Sequence, residues 1–149
     1  MTNLAILVTG TRHATPADWR DAVYGVLALH LARIGDGRLR VIHGAARGID
    51  TLADEWVQVR QSRWRVSAER YPADWDTHGR AAGPIRNALM RDRVLDLQRM
   101  GFEAAVVAFT DDITASKGTA GMCRLASAAG LPVTVYGRDG KGRAFGGGR

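Results

Sequence analysis

The stretch Leu4-Ala5-Ile6-Leu7-Val8-Thr9-Gly10 is a short apolar run that ends at a polar residue and a glycine. A continuous apolar run of this length is typical of a strand that is buried on both faces of a parallel sheet. Comparable runs lie at residues 39–43, 66–71, 104–109 and 132–136. The sequence therefore predicts five strands of this kind.

Helical patterns fill the intervals between the strands. Thr15-Pro16-Ala17-Asp18 combines a capping threonine, a proline at the first helical position and an acidic residue three positions after the cap. Asp50 is placed to cap a second helix, Gly83-Pro84 opens a third, and a fourth runs from about Thr119 to Ala129. The predicted inward faces of the first three helices are Trp19, Val23, Val26, Leu27, His30, Leu31 and Ile34; Leu52, Trp56 and Val59; and Ile85, Ala88, Leu89 and Leu95.

Strict alternation of strands and helices indicates an α/β fold. We expect a single Rossmann-like, doubly wound parallel sheet of about five strands with helices on both faces. The length of 149 residues suits one domain, and 46% hydrophobic with 24% charged residues excludes a wholly disordered chain. We assign residues 1–136 to this domain and predict that residues 137–149 form a basic, glycine-rich, disordered tail.

The net charge of +6 raises the question of nucleic-acid binding. About half of that charge lies in the tail, where Arg138, Lys141, Arg143 and Arg149 outnumber Asp139. The tail is either a solvated segment or an arm that makes weak contact with nucleic acid.

A single cysteine, Cys123, cannot form an internal disulfide, which fits a reducing cytoplasmic compartment. The longest apolar runs are much shorter than the roughly 18–20 residues that a membrane span needs. No basic segment precedes the first apolar run, so we expect neither a secretory signal nor a membrane partner.

Unusual residues follow each of the first four predicted strands. Because the carboxyl ends of parallel strands share one edge of a sheet, where ligands bind, we expect these residues to form one site. They are Gly10, Thr11 and Arg12 after the first strand; His43, Gly44, Arg47, Gly48 and Asp50 after the second; Asp74, Trp75, Arg86 and Asn87 after the third; and Lys117, Gly118 and Thr119 after the fourth.

The residue types in these loops suggest that the site binds an anion. Gly44, Gly48 and Gly118 each precede a predicted helix N-terminus, where free N–H groups and the helix dipole favour phosphate. Arginine and lysine side chains in the same loops add charge-assisted hydrogen bonds. Each glycine has an alternative interpretation as a turn residue.

Other candidates also have two interpretations. Asp50 either holds a ribose hydroxyl or caps the second helix, and Trp75 either stacks on a base or anchors the core. His13, His43 and His78 lack metal-ligand spacing with one another and with Cys123, so we expect no structural zinc or other metal. We also expect no cofactor. The glycine patterns of dinucleotide-binding dehydrogenases and of P-loops are absent, because one glycine follows the first strand and Lys117 precedes Gly118.

Taken in order, these motifs resemble the YspA-like branch of the SLOG superfamily, whose members are common in bacteria and their phages. That superfamily also contains the DprA proteins and the Lonely Guy phosphoribohydrolases. The resemblance covers residues 4 to about 136 and implies a Rossmann-like fold that binds nucleotide-derived ligands. The motifs that carry it are Val8-Thr9-Gly10-Thr11-Arg12, the segment 41–50 (VIHGAARGID), Tyr71-Pro72-Ala73-Asp74-Trp75, the segment 82–90 (AGPIRNALM) and Lys117-Gly118-Thr119-Ala120.

Lonely Guy enzymes hydrolyse the N-glycosidic bond of nucleoside monophosphates with an arginine and a P-G-G-x-G-T-x-x-E motif. Arg86 is similar in place to that arginine, and Gly118-Thr119 to the G-T pair. Residues 110–116 replace the Pro-Gly-Gly with a longer acidic loop, and Met122 stands where the glutamate would be. Methionine cannot transfer a proton, so phosphate binding survives these changes more easily than hydrolysis does.

We therefore expect a cytoplasmic protein that binds a nucleotide-derived small molecule as a sensor, sequestering protein or modest enzyme. One alternative is a nucleotide N-glycosidase in which Asp50, Asp74 or Asp111 replaces the glutamate and Arg86 assists. Another is a DprA-like nucleic-acid binder. We also expect a homodimer, as in relatives, through the apolar helix residues Val94, Leu97 and Met100.

Overall fold

The computed structural model describes residues 2–60 and 65–146. The strands are β1 (Leu4–Gly10), β2 (Leu39–His43), β3 (Val66–Arg70), β4 (Glu103–Phe109), β5 (Val133–Tyr136) and β6 (Gly142–Ala144). The helices are α1 (Pro16–Arg33), α2 (Ile49–Arg60), α3 (Trp75–His78), α4 (Ala82–Arg99) and α5 (Lys117–Ala128). Short 3-10 turns lie at Gly79–Ala81 and Ile113–Ala115.

The strands form one sheet in the order β3-β2-β1-β4-β5-β6. Every neighbouring pair is parallel except β5 and β6, and Leu4 in β1 pairs with both Leu39 and Glu103. The chain winds outward from β1 to β3 and then returns to β4 beside β1, which opens a crevice at the carboxyl ends of these two strands. The predicted α/β, Rossmann-like fold is confirmed, with a sixth strand added.

Helices cover the sheet on both faces, and every residue of β1 from Leu4 to Val8 is therefore buried. Successive side chains of a strand point to opposite faces, so Ile6 packs with α1 and α2 while Leu7 packs with α4 and α5. Trp19 and Trp56 lie in the first of these cores, as their helical spacing predicts.

Helix α1 begins as its sequence predicts. Thr15 is the N-cap, its side-chain oxygen accepts a hydrogen bond from the Asp18 amide at 3.3 Å, and Pro16 is the first helical residue. This cap satisfies one amide that the first turn leaves free. Among the described helices, none has the length and apolar character needed to cross a membrane.

The third predicted helix is α4 in the structure, and the prediction of which of its side chains face inward is wrong. In α4, Ile85 is 40% and Leu89 is 54% exposed, whereas Val94 and Leu97 are buried in the core. The buried stripe is Ala82, Gly83, Asn87, Met90, Val94 and Leu97. The predicted dimer surface of Val94, Leu97 and Met100 is also wrong, because Val94 and Leu97 are buried and only Met100 is exposed. Val59 of α2 is also exposed rather than inward-facing.

The prediction of a disordered tail from Gly137 is contradicted over residues 137–146. Residues Gly142–Ala144 form β6, which pairs antiparallel with β5, and Phe145 packs against the core beneath α4 and α5. Arg138 donates hydrogen bonds to Asp111 through its backbone amide and its side chain. The turn at 137–141 is glycine-rich because it reverses the chain between β5 and β6, so its composition reflects a turn and not disorder.

Candidate functional site

A cleft of about 190 Å³ lies at the carboxyl ends of β1 and β4, in the crevice that the strand order creates. We call it the inner cleft. Its walls come from the ends of β1, the loop before α2, the first half of α4 and the start of α5. The lining residues are Thr9, Gly10, Thr11, Arg12, His13, Ala46, Asp50, Arg86, Asn87, Met90, Ala115, Ser116, Lys117, Gly118 and Thr119.

The loop between β2 and α2 is held from behind by His43. This histidine is buried, its Nδ1 accepts a hydrogen bond from the Ala45 amide at 3.0 Å, and its Nε2 lies 2.7 Å from Asp54 Oδ1. An Nδ1 that accepts a hydrogen bond carries no proton, so the Nε2 proton points at Asp54. Although burial opposes it, hydrogen bonds from Arg70 and His43 lower the pKa of Asp54. His43 therefore shapes the loop and does not line the cleft.

Asp50 closes the loop from the other side. Its Oδ2 accepts hydrogen bonds from the Gly44 amide at 3.1 Å and the Ala46 amide at 3.2 Å. The residue is only 6% exposed, and its other oxygen, Oδ1, has no hydrogen-bond partner among the described residues. Burial raises the pKa of Asp50, against the lowering effect of the nearby amides and of Arg86. Asp50, which lines the inner cleft, thus has one buried oxygen without a hydrogen-bond donor among the described residues.

Arg86 joins α4 to the same loop. Its Nη1 donates to the Gly44 carbonyl oxygen at 2.7 Å, and its Nε donates to Asn87 Oδ1 at 2.9 Å. Burial lowers the pKa of Arg86, and the charge of Asp50 opposes that shift. The guanidinium therefore lies near Asp50, and Arg86 lines the cleft.

Two of the predicted ligand-approach glycines are explained by packing within the protein. Gly48 has a φ of +80°, and a Cβ there would overlap the backbone of Thr11 and Arg12. At Gly44 a Cβ would overlap the Arg86 guanidinium. By contrast, a Cβ at Gly118 would enter open space at the cleft wall. Of the three, Gly118 is the position where the chain leaves room beside a helix N-terminus.

The N-terminus of α5 faces the inner cleft without a side-chain cap. The side chain of the N-cap residue Ser116 makes a 2.9 Å hydrogen bond with the Thr110 hydroxyl and none with the helix backbone. The backbone oxygen of Ser116 accepts the first helical bond, from the Ala120 amide at 2.8 Å. The amides of residues 117–119 precede that bond, as at any helix start. Lys117 is exposed beside them, whereas Thr119 is buried. This end of the cleft has the chemistry of an anion site.

A shallower outer groove adjoins the inner cleft through their shared residues Arg12, Ala46 and Arg86. The Arg12 guanidinium lies over the Trp75 ring at 5.3 Å from its centroid. The groove is lined by Arg12, Gly44, Ala45, Ala46, Arg47, Pro72, Ala73, Trp75 and Arg86. Most predicted site residues therefore line one of two connected spaces.

The remaining predicted residues lie elsewhere. Asp74 is exposed and caps α3 by accepting from the Thr77 amide at 3.1 Å, and it lines neither space. Met122 is fully buried in the core and does not line the inner cleft. Asp111 pairs with Arg138. Of the three carboxylates proposed to replace the missing glutamate, only Asp50 reaches the inner cleft.

Sequence reasoning missed several lining residues, notably Ala46, Met90 and Ser116. Ser116 carries a usable signal, since a serine directly before Lys117-Gly118-Thr119 is a helix N-cap. Ala46 and Met90 carry none, because small and apolar residues are common in any loop or helix. Within residues 2–60 and 65–146, no group of three or more His, Cys, Asp or Glu side chains is placed to hold a metal ion.

Comparisons with known proteins agree with the predicted resemblance. The family model described as "YspA, cpYpsA-related SLOG family" matches residues 4–78. The Gene 61 protein of Mycobacterium phage D29 is 37% identical over 135 residues, covering 89% of this chain and 95% of the phage protein. The X-ray structure of TM1055 is similar with a TM-score of 0.50 and 20% identity, covering 89% of this chain and 72% of TM1055, a likeness that concerns the fold alone.

Proposed function

The chain belongs to the YspA, cpYpsA-related SLOG family, and we propose that its inner cleft binds the anionic part of a nucleotide-derived small molecule. The observation that carries this proposal is the free oxygen of Asp50 in a cleft bordered by cations. A buried acceptor without a donor costs folding free energy, and a hydroxyl or amine of a ligand would relieve that cost.

Charge supports an anionic ligand. Arg12 and Lys117 line the inner cleft and make no ion pair with any described carboxylate. Together with the α5 N-terminus they leave an excess of positive charge around one acceptor. A phosphorylated ribose carries both kinds of group that this cleft can bind. Its phosphate would pair with the cations, and its hydroxyls would donate hydrogen bonds to Asp50.

Isothermal titration with nucleoside mono-, di- and triphosphates tests the proposal. Lys117→Ala should weaken binding by about 10-fold, because one charge-assisted hydrogen bond is lost. Lys141→Ala is the matched control, since Lys117 and Lys141 are the only lysines and Lys141 does not line the inner cleft. Equal binding by both variants would place the ligand elsewhere.

A nucleotide N-glycosidase is a second candidate, favoured by the raised pKa of Asp50 in the cleft. A raised pKa favours the protonated carboxyl group, which can protonate a leaving base. Chromatography of nucleoside monophosphates incubated with the protein tests this role. Base release that Asp50→Asn abolishes would support it, whereas release at the same rate in both proteins would assign any activity to another group.

We also propose that the protein is a cytoplasmic homodimer. In place of Val94 and Leu97, the exposed apolar residues Ile85 and Leu89 of α4 would form the interface. They lie one turn apart on a helix that also carries Arg86, so pairing there would place two sites near one interface. Light scattering of the parent should give twice the 16.1 kDa chain mass. Leu89→Glu should return the protein to a monomer, and a monomeric parent would contradict the proposal.

A further inference from the structure

The outer groove carries a half-exposed indole ring, which the inner cleft lacks. Trp75 is 48% exposed and lines the groove together with the small or apolar residues Ala45, Pro72 and Ala73 and with three arginines, Arg12, Arg47 and Arg86. An indole ring left half in water in a concave, cation-bordered surface is an arrangement that can receive a flat aromatic partner.

The position of Trp75 is set by the start of α3, and its ring lies near Gly83 of α4. It is the first residue of α3, whose start is fixed by the Asp74 cap, and its ring edge lies 3.5 Å from the position that a Cβ on Gly83 would occupy. The Arg12 guanidinium lies over the ring. A half-exposed ring beneath a cationic side chain can bind a base either by exchange with the guanidinium or by stacking with it.

We propose that the outer groove receives the planar aromatic base of the ligand whose anionic group is bound in the inner cleft. This assignment rests on the proposed function. Arg12 and Arg86 border both spaces, so one molecule can extend from the α5 N-terminus, past Asp50, to Trp75. The substrate class is then a nucleoside phosphate and not a sugar phosphate or a free inorganic anion.

The side chains of the groove indicate a tolerant base site. Stacking on Trp75 and contact with alanine and proline surfaces use the π-face that every base has. Arg47, at the rim, makes no hydrogen bond or ion pair with the described residues and is available to a base carbonyl or a further phosphate. Selection among bases is therefore expected to be weaker than selection for the presence of a base.

The test compares ribose 5-phosphate with the 5′-monophosphates of adenosine, guanosine, cytidine and uridine by isothermal titration. The parent should bind at least one of these nucleotides about 5- to 150-fold more tightly than ribose 5-phosphate, the range expected of one base–aromatic stack. Trp75→Ala should remove most of that advantage and leave ribose 5-phosphate binding unchanged. Trp75→Phe, which keeps a ring, should retain most of it, and Val59→Ala serves as an exposed control remote from both spaces.

Two results would overturn the assignment. Either all four nucleotides bind no better than ribose 5-phosphate, or Trp75→Ala leaves the nucleotide advantage unchanged. If ribose 5-phosphate still binds and Lys117→Ala weakens it, then only the outer-groove assignment fails. If no probe binds at all, the proposal for the inner cleft fails as well.

Discussion

The two oxygens of Asp50 have different surroundings, one hydrogen-bonded within the protein and one without a partner among the described residues. Oδ2 holds the loop before α2 through two amides, and Oδ1 is buried without a partner among the described residues. An asparagine can keep the first role, because its carbonyl oxygen accepts the same two hydrogen bonds. It reverses the second, because an N–H₂ group replaces the free acceptor.

We therefore expect Asp50→Asn to fold normally and to lose ligand affinity by about 10- to 150-fold, the range for a hydrogen bond to a charged group. Circular dichroism establishes the fold and isothermal titration the affinity. Asp74→Asn is the matched control, since Asp74 lines neither space. Unchanged affinity in Asp50→Asn would show that its free oxygen does not face the ligand.

The same substitution should change how stability depends on pH. Because the folded-state pKa of Asp50 is raised, ionising it costs stability as the pH rises from about 3.9, the ordinary aspartate value, through the raised pKa. The asparagine variant lacks that loss. Its free energy of unfolding, relative to the parent, should rise between about pH 4 and pH 7 in urea titrations. A relative stability that stays flat or falls over that interval would be inconsistent with a raised pKa.

Gly48 and Gly118 offer a contrast between packing and open space. Gly48→Ala forces a left-handed φ on a residue with a Cβ and overlaps the Thr11 backbone, so we expect it to lower the free energy of unfolding by about 2 kcal/mol or more. Gly118→Ala meets no atom and lies in the first turn of α5, so its stability should match or slightly exceed that of the parent.

Thermal denaturation of the two glycine variants provides the measurement. Equal stability would mean that the loop at Gly48 can move away from β1. A loss confined to Gly118→Ala would contradict the described backbone at both positions.

At the scale of elements, α4 is fixed to the sheet by a network around Glu69. Arg93 of α4 donates two hydrogen bonds to this carboxylate at 2.9 Å, and Arg40 of β2 and the Tyr71 hydroxyl donate the others. Burial alone would raise the pKa of Glu69, but these donors outweigh it and lower the pKa to about 2. Because α4 carries Arg86 and Asn87, the network also sets one wall of the inner cleft.

Glu69→Gln should destabilise the protein by about 1–2 kcal/mol at neutral pH, after allowance for the partial exposure of the network. A lowered folded-state pKa gives stability above the ordinary glutamate pKa of 4.5, and this stability is lost as the pH falls toward about 2. The difference between parent and variant should therefore shrink below about pH 4. A pH-independent difference would assign the loss to packing instead of charge.

Strand β6 gives a prediction about the end of the chain. Removing residues 142–149 exposes the edge of β5 and removes Phe145 from the core. We expect the melting temperature to fall by several degrees, since about 1 kcal/mol shifts it by roughly 2–4 °C at this size. An unchanged melting temperature would mean that β6 contributes nothing and would restore the prediction of a solvated tail.

The phase of α4 shows where sequence periodicity reaches its limit. Apolar residues occur on two sides of this helix, so their spacing permits either Ile85 and Leu89 or Met90, Val94 and Leu97 to face inward. In the structure the second set is buried in the core, and Asn87 lies on the same stripe, where its side-chain amide donates to Gly118 O of α5 at 3.5 Å. A polar residue that makes a tertiary contact is invisible to a count of apolar positions. By contrast, the cap of α1 is local and was predictable from Thr15 and Pro16.

At the scale of the whole molecule, one topological rule accounts for the location of the site. Parallel strands bring their carboxyl ends to one edge, so loops distant in sequence meet beside β1 and β4. The sequence was sufficient to predict that Arg12, Arg86 and Lys117 converge. It was not sufficient to separate inner cleft from outer groove, because that division depends on where the Arg86 and Trp75 side chains lie.

His43 and Asp74 are predicted as ligand contacts because of their place in the chain order. Both follow strands at the correct edge, which is all that chain order can show. The structure gives each an internal partner, Asp54 for His43 and the Thr77 amide for Asp74. Position at an edge is therefore a necessary condition for contact with a ligand and not a sufficient one.

Protection of lysine from chemical acetylation tests the central claim most directly, because the chain has one lysine at the inner cleft and one outside it. The unmodified protein is acetylated with and without nucleoside phosphates, and mass spectrometry compares the rates at Lys117 and Lys141. We predict that a nucleoside phosphate slows modification of Lys117 in a saturable manner and leaves Lys141 unchanged. Unaltered modification of Lys117 at saturating concentrations of every nucleotide would contradict the assignment of the inner cleft as an anion site.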